Sequence, residues 1–86
     1  MKIRALIVDD EALARRRINR LLASHRDVEV VGECSGGRAA FEAIEKKHPN
    51  LLFLDVQMPD LDGFSVLKQL EEDDLPAVVF VTAYDH

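Results

Sequence analysis

The sequence predicts an α/β fold in which helices cover both faces of a parallel sheet. Short apolar runs of strand length alternate with stretches of helical period along the whole chain, and no linker or internal repeat interrupts them. Such alternation is typical of right-handed βαβ crossovers, which produce parallel strands. Acidic residues directly follow two of the apolar runs. The 86 residues are enough for a single domain with one modest core.

The first strand and the first helix are predicted from the amino-terminal quarter of the chain. The aliphatic run "IRALIV", Ile3–Val8, has the length and composition of a strand. Residues 11–24 then show helical spacing, with an acidic start and an apolar face formed by Ala14, Ile18, Leu21 and Leu22. The basic residues of "ARRRINR" are expected on the solvent side of this helix, namely Arg15, Arg16, Arg17 and Arg20.

The second strand and helix follow in the same way. "VEVVGE", residues 28–33, alternates more than the first strand, which favours a position nearer the edge of the sheet. Ser35 is expected to cap the second helix, which ends before His48 and the following proline. The inner face of that helix is predicted to be Ala40, Phe41 and Ile44. We expect Cys34 to be a small residue at a strand end, without a catalytic role.

The last third of the chain supplies two more strands and one more helix. "LLFLD", Leu51–Asp55, is predicted as the third strand, and residues 77–82 form the fourth after Pro76. Between them, Asp62 is expected to cap a helix that buries Val66, Leu67 and Leu70, with Phe64 beside them. Asp60 is expected to be a turn residue.

Composition and charge limit the classes of function. Lys and Arg total 11 against 16 Asp and Glu, so the formal net charge of -5 disfavours direct contact with nucleic acid or an anionic membrane. The single cysteine excludes an internal disulfide. The apolar runs are too short for a signal-peptide core or for the roughly 18 residues of a membrane helix. We therefore expect a cytoplasmic protein.

Three carboxylates stand at predicted strand ends. Asp9 and Asp10 follow the first strand, and Asp55 ends the third. If these strands are neighbours, about 4.8 Å apart, the three side chains share one crevice at the carboxyl edge of the sheet, where ligands bind in this architecture. Carboxylates so close repel one another, and a divalent cation reverses that interaction. Oxygen ligands of this kind suit Mg²⁺.

The residues at these strand ends resemble the receiver domain of bacterial two-component response regulators. The resemblance rests on "VDDE" after the first strand, "LDVQMPDLDG" after the third and "VTAY" after the fourth, and it covers the whole chain in order. It implies a flavodoxin-like sheet with strand order 2-1-3-4. Residues 1–86 would then be the amino-terminal part of a single receiver domain, lacking its fifth strand, the lysine on that strand and the last two helices.

The resemblance also implies a role for individual residues. Asp55 would accept a phosphoryl group from a sensor histidine kinase. Mg²⁺ would be held by Asp9, Asp10, Asp55 and the backbone carbonyl of Gln57. Thr82 would supply the hydroxyl that senses the phosphate, and the backbone N–H of Ala83 would lie beside it. On this reading the domain is a switch for an output domain and not an enzyme.

The resemblance extends to partners. The combination of "VDDEALAR" and "DVQMPDLDGF" is more similar to the subclass fused to LytTR-type DNA-binding domains, so the output domain is expected to bind DNA. The fourth strand is apolar on both faces, and no strand follows it in this chain, so we expect self-association through its outer edge.

Two other functions remain open. A phosphohydrolase of the haloacid-dehalogenase type also uses a strand-end aspartate with Mg²⁺, but its D-x-D pattern is absent, because Gln57 stands two residues after Asp55. The second alternative is a receiver-like interaction module that is never phosphorylated. The missing lysine of the fifth strand keeps that alternative open.

Overall fold

The structure, a computed structural model, describes residues 2–56, 63–70 and 75–81. Within these ranges strands and helices alternate strictly, as predicted. The strands are β1 (Ile3–Val8), β2 (Val28–Cys34), β3 (Leu51–Asp55) and β4 (Ala77–Val81). The helices are α1 (Ala12–Leu22), α2 (Gly37–Lys47) and α3 (Gly63–Gln69).

The four strands form one parallel sheet in the order β2-β1-β3-β4. This order confirms the predicted 2-1-3-4 topology and the predicted edge position of β2. Val8 at the end of β1 pairs with Cys34 of β2 on one side and with Leu54 of β3 on the other. The carboxyl ends of these three strands therefore lie level with one another.

The core lies on both faces of β1. Leu6 and Val8 point to one face, where they join buried side chains of β3, α2 and α3, among them Leu52, Leu54, Ala40, Ile44 and Val66. Ala5 and Ile7 are also buried but lie outside that cluster, as expected for alternating residues that point to the opposite face. Helix α1 contacts β1 and β2. Helices thus cover both faces of the sheet, as the sequence predicts.

The inward face of α1 differs from the predicted one. Leu21 is 70% exposed, whereas the half-buried positions of the helix are Ala14, Arg15, Ile18, Asn19 and Leu22. These positions follow the spacing i, i+1, i+4, i+5 and i+8, so the face is rotated toward Arg15 and Asn19. The physical reason is that both polar side chains find hydrogen-bond partners on the strand ends beneath them.

Helices α2 and α3 largely follow their predictions. Helix α2 ends at Lys47, before His48 and Pro49, and His48 takes the left-handed conformation that often terminates a helix. Its N-cap is Gly36 and not Ser35, and no side chain caps it. In α3, Val66 is buried and Leu67 and Leu70 pack against the core. The predicted cap residue Asp62 and the side chain of Phe64 lie outside the part of the chain that the structure describes.

Strand β2 contains one irregularity. Ala5 pairs with Val30 and Leu6 pairs with Gly32, so Val31 is an extra residue on β2. Its carbonyl accepts a hydrogen bond of 2.8 Å from Lys47 Nζ at the end of α2. In the part of the chain that the structure describes, no helix is long and apolar enough to cross a bilayer.

Candidate metal centre

The carboxyl ends of β1 and β3 bring three aspartates together. One carboxylate oxygen from each of Asp9, Asp10 and Asp55 lies within 4.8 Å of the other two. The parallel register explains this arrangement, because Val8 pairs with Leu54, Asp9 and Asp55 follow one residue later on each side, and Asp10 comes directly after Asp9. The three carboxylates therefore share one site, as expected for neighbouring strands.

The site runs from the core to solvent. Asp9 is 5% exposed and is the buried charged residue at the edge of the core, whereas Asp55 is half-buried and Asp10 is exposed. A carboxylate so deeply buried is costly unless a cation or hydrogen bonds offset its charge. The exposed side of the group leaves room for a ligand to approach from solvent.

Asp9 is held by hydrogen bonds to its backbone and its side chain. Its N–H donates to the carbonyl of Cys34 (3.0 Å), and its Oδ1 accepts from the N–H of Glu11 (2.9 Å). Its carbonyl accepts a 2.7 Å hydrogen bond from Arg15 Nη1. Asp9 is thus fixed to β2, to the start of α1 and to an arginine one turn into that helix.

Arg15 does not lie on the solvent side of α1, where the sequence analysis places it. Its side chain is 19% exposed, and its Nε lies 3.3 Å from Glu33 Oε1. Asn19 Nδ2 donates to the other oxygen of Glu33 at 2.7 Å. Arg16, Arg17 and Arg20 are exposed, as predicted. This network was not predicted from the sequence, although the spacing of Arg15 and Asn19, four residues apart on a helix, places them on one face.

The composition of the group indicates the kind of cation that it could hold. Carboxylates about 4 Å apart repel by about 1 kcal/mol in water and about 4 kcal/mol near a protein surface. The candidate metal-binding group that the described residues form consists of carboxylates only, without histidine or cysteine. Such hard oxygen donors fit Mg²⁺ and do not favour zinc or copper.

Three predicted site residues lie outside the described residues, namely Gln57, Thr82 and Ala83. Their assigned roles stay predictions, as do those of Asp60 and Asp62. Among the predicted site residues, the structure describes Asp9, Asp10 and Asp55, and these three lie together.

Comparison with known sequences identifies relatives over nearly the whole chain. The family model of the response regulator receiver domain matches residues 5–86. A response regulatory protein of Shewanella oneidensis, itself uncharacterized, is 45% identical over 83 residues, which cover 96% of this chain and 35% of that protein. The transcriptional regulatory protein BtsR of Salmonella typhi shows the same identity and coverage. The chain spans about a third of the length of these curated relatives.

Solved structures show the same architecture. The response regulator domain of Thermotoga maritima CheB is 37% identical, with a TM-score of 0.83 over 95% of this chain and 61% of that domain. The receiver domain of the putative response regulator NarL of Mycobacterium tuberculosis is 36% identical, with a TM-score of 0.86 over 99% of this chain and 69% of that one.

Proposed function

Because the chain belongs to the response regulator receiver domain family, we propose that Asp55 accepts a phosphoryl group from a histidine of a sensor kinase. The observation that carries this proposal is the convergence of Asp9, Asp10 and Asp55 within 4.8 Å at the carboxyl edge of the sheet. A carboxylate on the end of a buried strand is a rigidly placed nucleophile, and two more carboxylates beside it can hold the cation that phosphoryl transfer requires.

We propose Mg²⁺ as that cation, with Asp9, Asp10 and Asp55 as ligands through their carboxylate oxygens and Gln57 through its backbone carbonyl. The all-oxygen donor set of the three aspartates fits this ion. Bound Mg²⁺ would neutralise the negative charge that accumulates on the phosphoryl oxygens during transfer. Hydrogen bonds hold the amide, the carbonyl and one carboxylate oxygen of Asp9, so Asp9 would offer the cation a fixed ligand.

In the transfer itself, a carboxylate oxygen of Asp55 attacks the phosphorus of a phosphohistidine. A new O–P bond forms to Asp55 while the P–N bond to the histidine breaks, and the departing imidazole nitrogen keeps the bonding electron pair and takes up a proton. Asp55 is half-buried, so its carboxylate is supported by the sheet and still open to a donor. Thr82 and Ala83 are proposed to bind the new phosphate through a hydroxyl and a backbone N–H.

The partners proposed for this chain follow from its relatives. BtsR carries the name of a transcriptional regulatory protein, which supports a DNA-binding output domain as the partner of this domain. We propose that this partner is of the LytTR type, as the sequence resemblance implies. Phosphorylation adds about two negative charges and three strong acceptors, enough to shift a neighbouring segment and so to control that output domain. We place the protein in the cytoplasm, where sensor kinases present their phosphohistidine.

We also propose that the chain associates with itself through β4. Within the described residues β4 is an edge strand of the sheet, and its Val79 and Phe80 are 43% and 44% exposed. An apolar edge of this kind tends to pair with another strand. Sedimentation velocity at rising concentration tests it: we expect a growing dimer fraction that Val79→Lys abolishes, and a concentration-independent monomer would contradict the idea.

Intact-mass spectrometry tests the phosphoacceptor proposal. The chain is incubated with Mg²⁺ and a small-molecule acyl phosphate. We expect a mass increase of one phosphoryl group that chelation of Mg²⁺ and Asp55→Asn both prevent. Asp27→Asn is the matched control, because Asp27 is an exposed aspartate outside the site. A chain that stays unmodified would favour an interaction module that is not phosphorylated.

A further inference from the structure

We infer that Arg15 is a positioning residue for the cation site: it holds the Asp9–Asp10 segment in the conformation that binds the metal. This inference rests on the proposed Mg²⁺ site. Arg15 is not a ligand, since a guanidinium carries a positive charge and has no lone pair to offer. Its effect passes through the backbone of Asp9.

The geometry of Arg15 joins three elements. Its Nη1 donates to the carbonyl of Asp9 at 2.7 Å, and its Nε lies 3.3 Å from Glu33 Oε1 near the end of β2. The guanidinium is planar, so these two contacts on different nitrogens fix both its position and its orientation. The side chain is 19% exposed, which shields the contacts from water. Arg15 therefore ties the peptide group after Asp9 to β2 and to α1.

Glu33 is in turn held in place. Asn19 Nδ2 donates to Glu33 Oε2 at 2.7 Å, and it also lies 3.4 Å from the carbonyl of Arg15. The two oxygens of Glu33 thus contact two side chains of α1, one turn apart. A carboxylate with two partners keeps Arg15 aimed at Asp9, whereas an arginine without such a partner would have several rotamers open to it.

The positive charge of Arg15 opposes cation binding. An electrostatic effect of Arg15 and a positioning effect therefore change the Mg²⁺ affinity in opposite directions. A positive side chain near three carboxylates repels an incoming cation. If Arg15 acted only through its charge, it would lower the Mg²⁺ affinity of the site. Its removal would then raise Mg²⁺ affinity. If Arg15 orients the ligands, its removal lowers the affinity instead. The sign of the change therefore decides between the two roles.

The change in Mg²⁺ affinity can be measured by a Mg²⁺ titration in which NMR monitors the backbone amide chemical shifts of Asp10 and Glu11. We expect Arg15→Ala to weaken Mg²⁺ binding by about tenfold or more, as is usual when a residue that orients a ligand is lost. Arg15→Lys keeps the charge but cannot make both contacts, so it should restore only part of the affinity. Arg16→Ala is the matched control, because it removes the same charge from an exposed neighbour and should change the affinity less than about twofold.

The metal-free spectra give a second measurement that does not depend on Mg²⁺. In Arg15→Ala we expect faster hydrogen exchange at the Asp9 amide and shifted signals for Asp10, while core amides such as that of Leu6 stay protected. If Arg15→Ala does not fold, Arg15→Lys carries the test alone, since it preserves the charge and most of the side-chain volume.

The outcomes separate this inference from the proposed function. A wild-type chain that binds no Mg²⁺ overturns the proposed metal site and this inference with it. Wild-type binding with an unchanged or higher affinity in Arg15→Ala overturns the inference alone. Weaker binding in Arg15→Ala, with wild-type affinity in Arg16→Ala, supports it.

Discussion

Val8 of β1 and Leu54 of β3 pair with each other in the parallel sheet. Asp9 and Asp55 are the next residues on each side, so this one pairing determines that their carboxylates meet. In a strand the side chains alternate between faces, and a slip of one residue would send one of the two aspartates to the other face. The candidate site thus depends on the register of two buried strands, which side-chain packing specifies strongly.

Neutralising the exposed carboxylate of the site should stabilise the chain in the absence of metal. We expect Asp10→Asn to raise the free energy of unfolding by about 1 kcal/mol, because it removes repulsion with Asp9 and Asp55. In a domain of this size that corresponds to about 4 to 8 °C in Tm. Thermal unfolding with and without Mg²⁺ measures it, and the stabilisation by Mg²⁺ should shrink in the variant.

The control for this measurement is Asp27→Asn, which removes the same charge from an exposed position outside the site. It should leave both Tm and the effect of Mg²⁺ nearly unchanged. Equal shifts in the two variants would mean that overall net charge, and not repulsion within the site, sets the stability.

Asn50, which directly precedes β3, connects β1, β3 and β4 at the end of the sheet opposite to the three aspartates. Its N–H donates to the carbonyl of Arg4, its Oδ1 accepts from the N–H of Arg4, and its carbonyl accepts from the N–H of Ala77. We expect Asn50→Ala to cost about 0.5 to 1.5 kcal/mol, because it leaves the Arg4 amide without that acceptor. Urea denaturation measures the loss. Asn50→Asp keeps an acceptor oxygen and should cost less; equal losses would argue against the side-chain bond.

Gly32 lies in the irregular part of β2 and has no room for a larger residue. A Cβ at this position would come within 3.0 Å of Lys47 Nζ and 3.2 Å of the buried Leu6 Cδ1. We expect Gly32→Ala to lower the free energy of unfolding by about 1 to 2 kcal/mol through overpacking. Chemical denaturation of the variant checks this.

Measuring Gly32→Ala in a Lys47→Ala chain shows whether Leu6 or Lys47 causes the steric clash. The end of Lys47 can move, whereas Leu6 is fully enclosed. We therefore expect Gly32→Ala to cost nearly as much in a Lys47→Ala chain as in the wild type. A cost that disappears in that background would assign the strain to Lys47 and to its bond with Val31.

The thiol of Cys34 should react slowly in the folded chain. Burial raises the pKa of the Cys34 thiol above its ordinary value, and the positive charges of Lys47 and Arg15 offset part of that rise. Less thiolate is therefore present at mildly alkaline pH, and the side chain is buried. We expect alkylation by iodoacetamide at pH 8 to be at least about tenfold slower than in urea; similar rates would show that the end of β2 opens readily.

Much of the fold was predictable from local sequence. The apolar run of β1 and that of β3 predicted both strands, and their parallel arrangement predicted that Asp9, Asp10 and Asp55 would share a site. These features depend on periodicity and on general rules of α/β folds. They require no knowledge of individual side-chain contacts.

Features that depend on contacts between distant residues were not predictable. Arg15 carries the sequence pattern of a solvated helix face, and only the position of Glu33 on the neighbouring strand explains its burial. The extra residue on β2 likewise becomes visible only in the pairing with β1. Capping by Ser35 was a reasonable expectation from residue type, yet the helix begins one residue later, at a glycine N-cap.

Locating the phosphoryl group tests directly whether Asp55 is the phosphoacceptor. After reaction with an acyl phosphate and Mg²⁺, fragmentation mass spectrometry of the chain maps the modified residue. We predict a phosphoryl group on Asp55 that forms only with Mg²⁺ and disappears when Asp9 and Asp10 are both replaced by asparagine. A phosphoryl group on any other residue, or on Asp55 with no requirement for Mg²⁺, would contradict it.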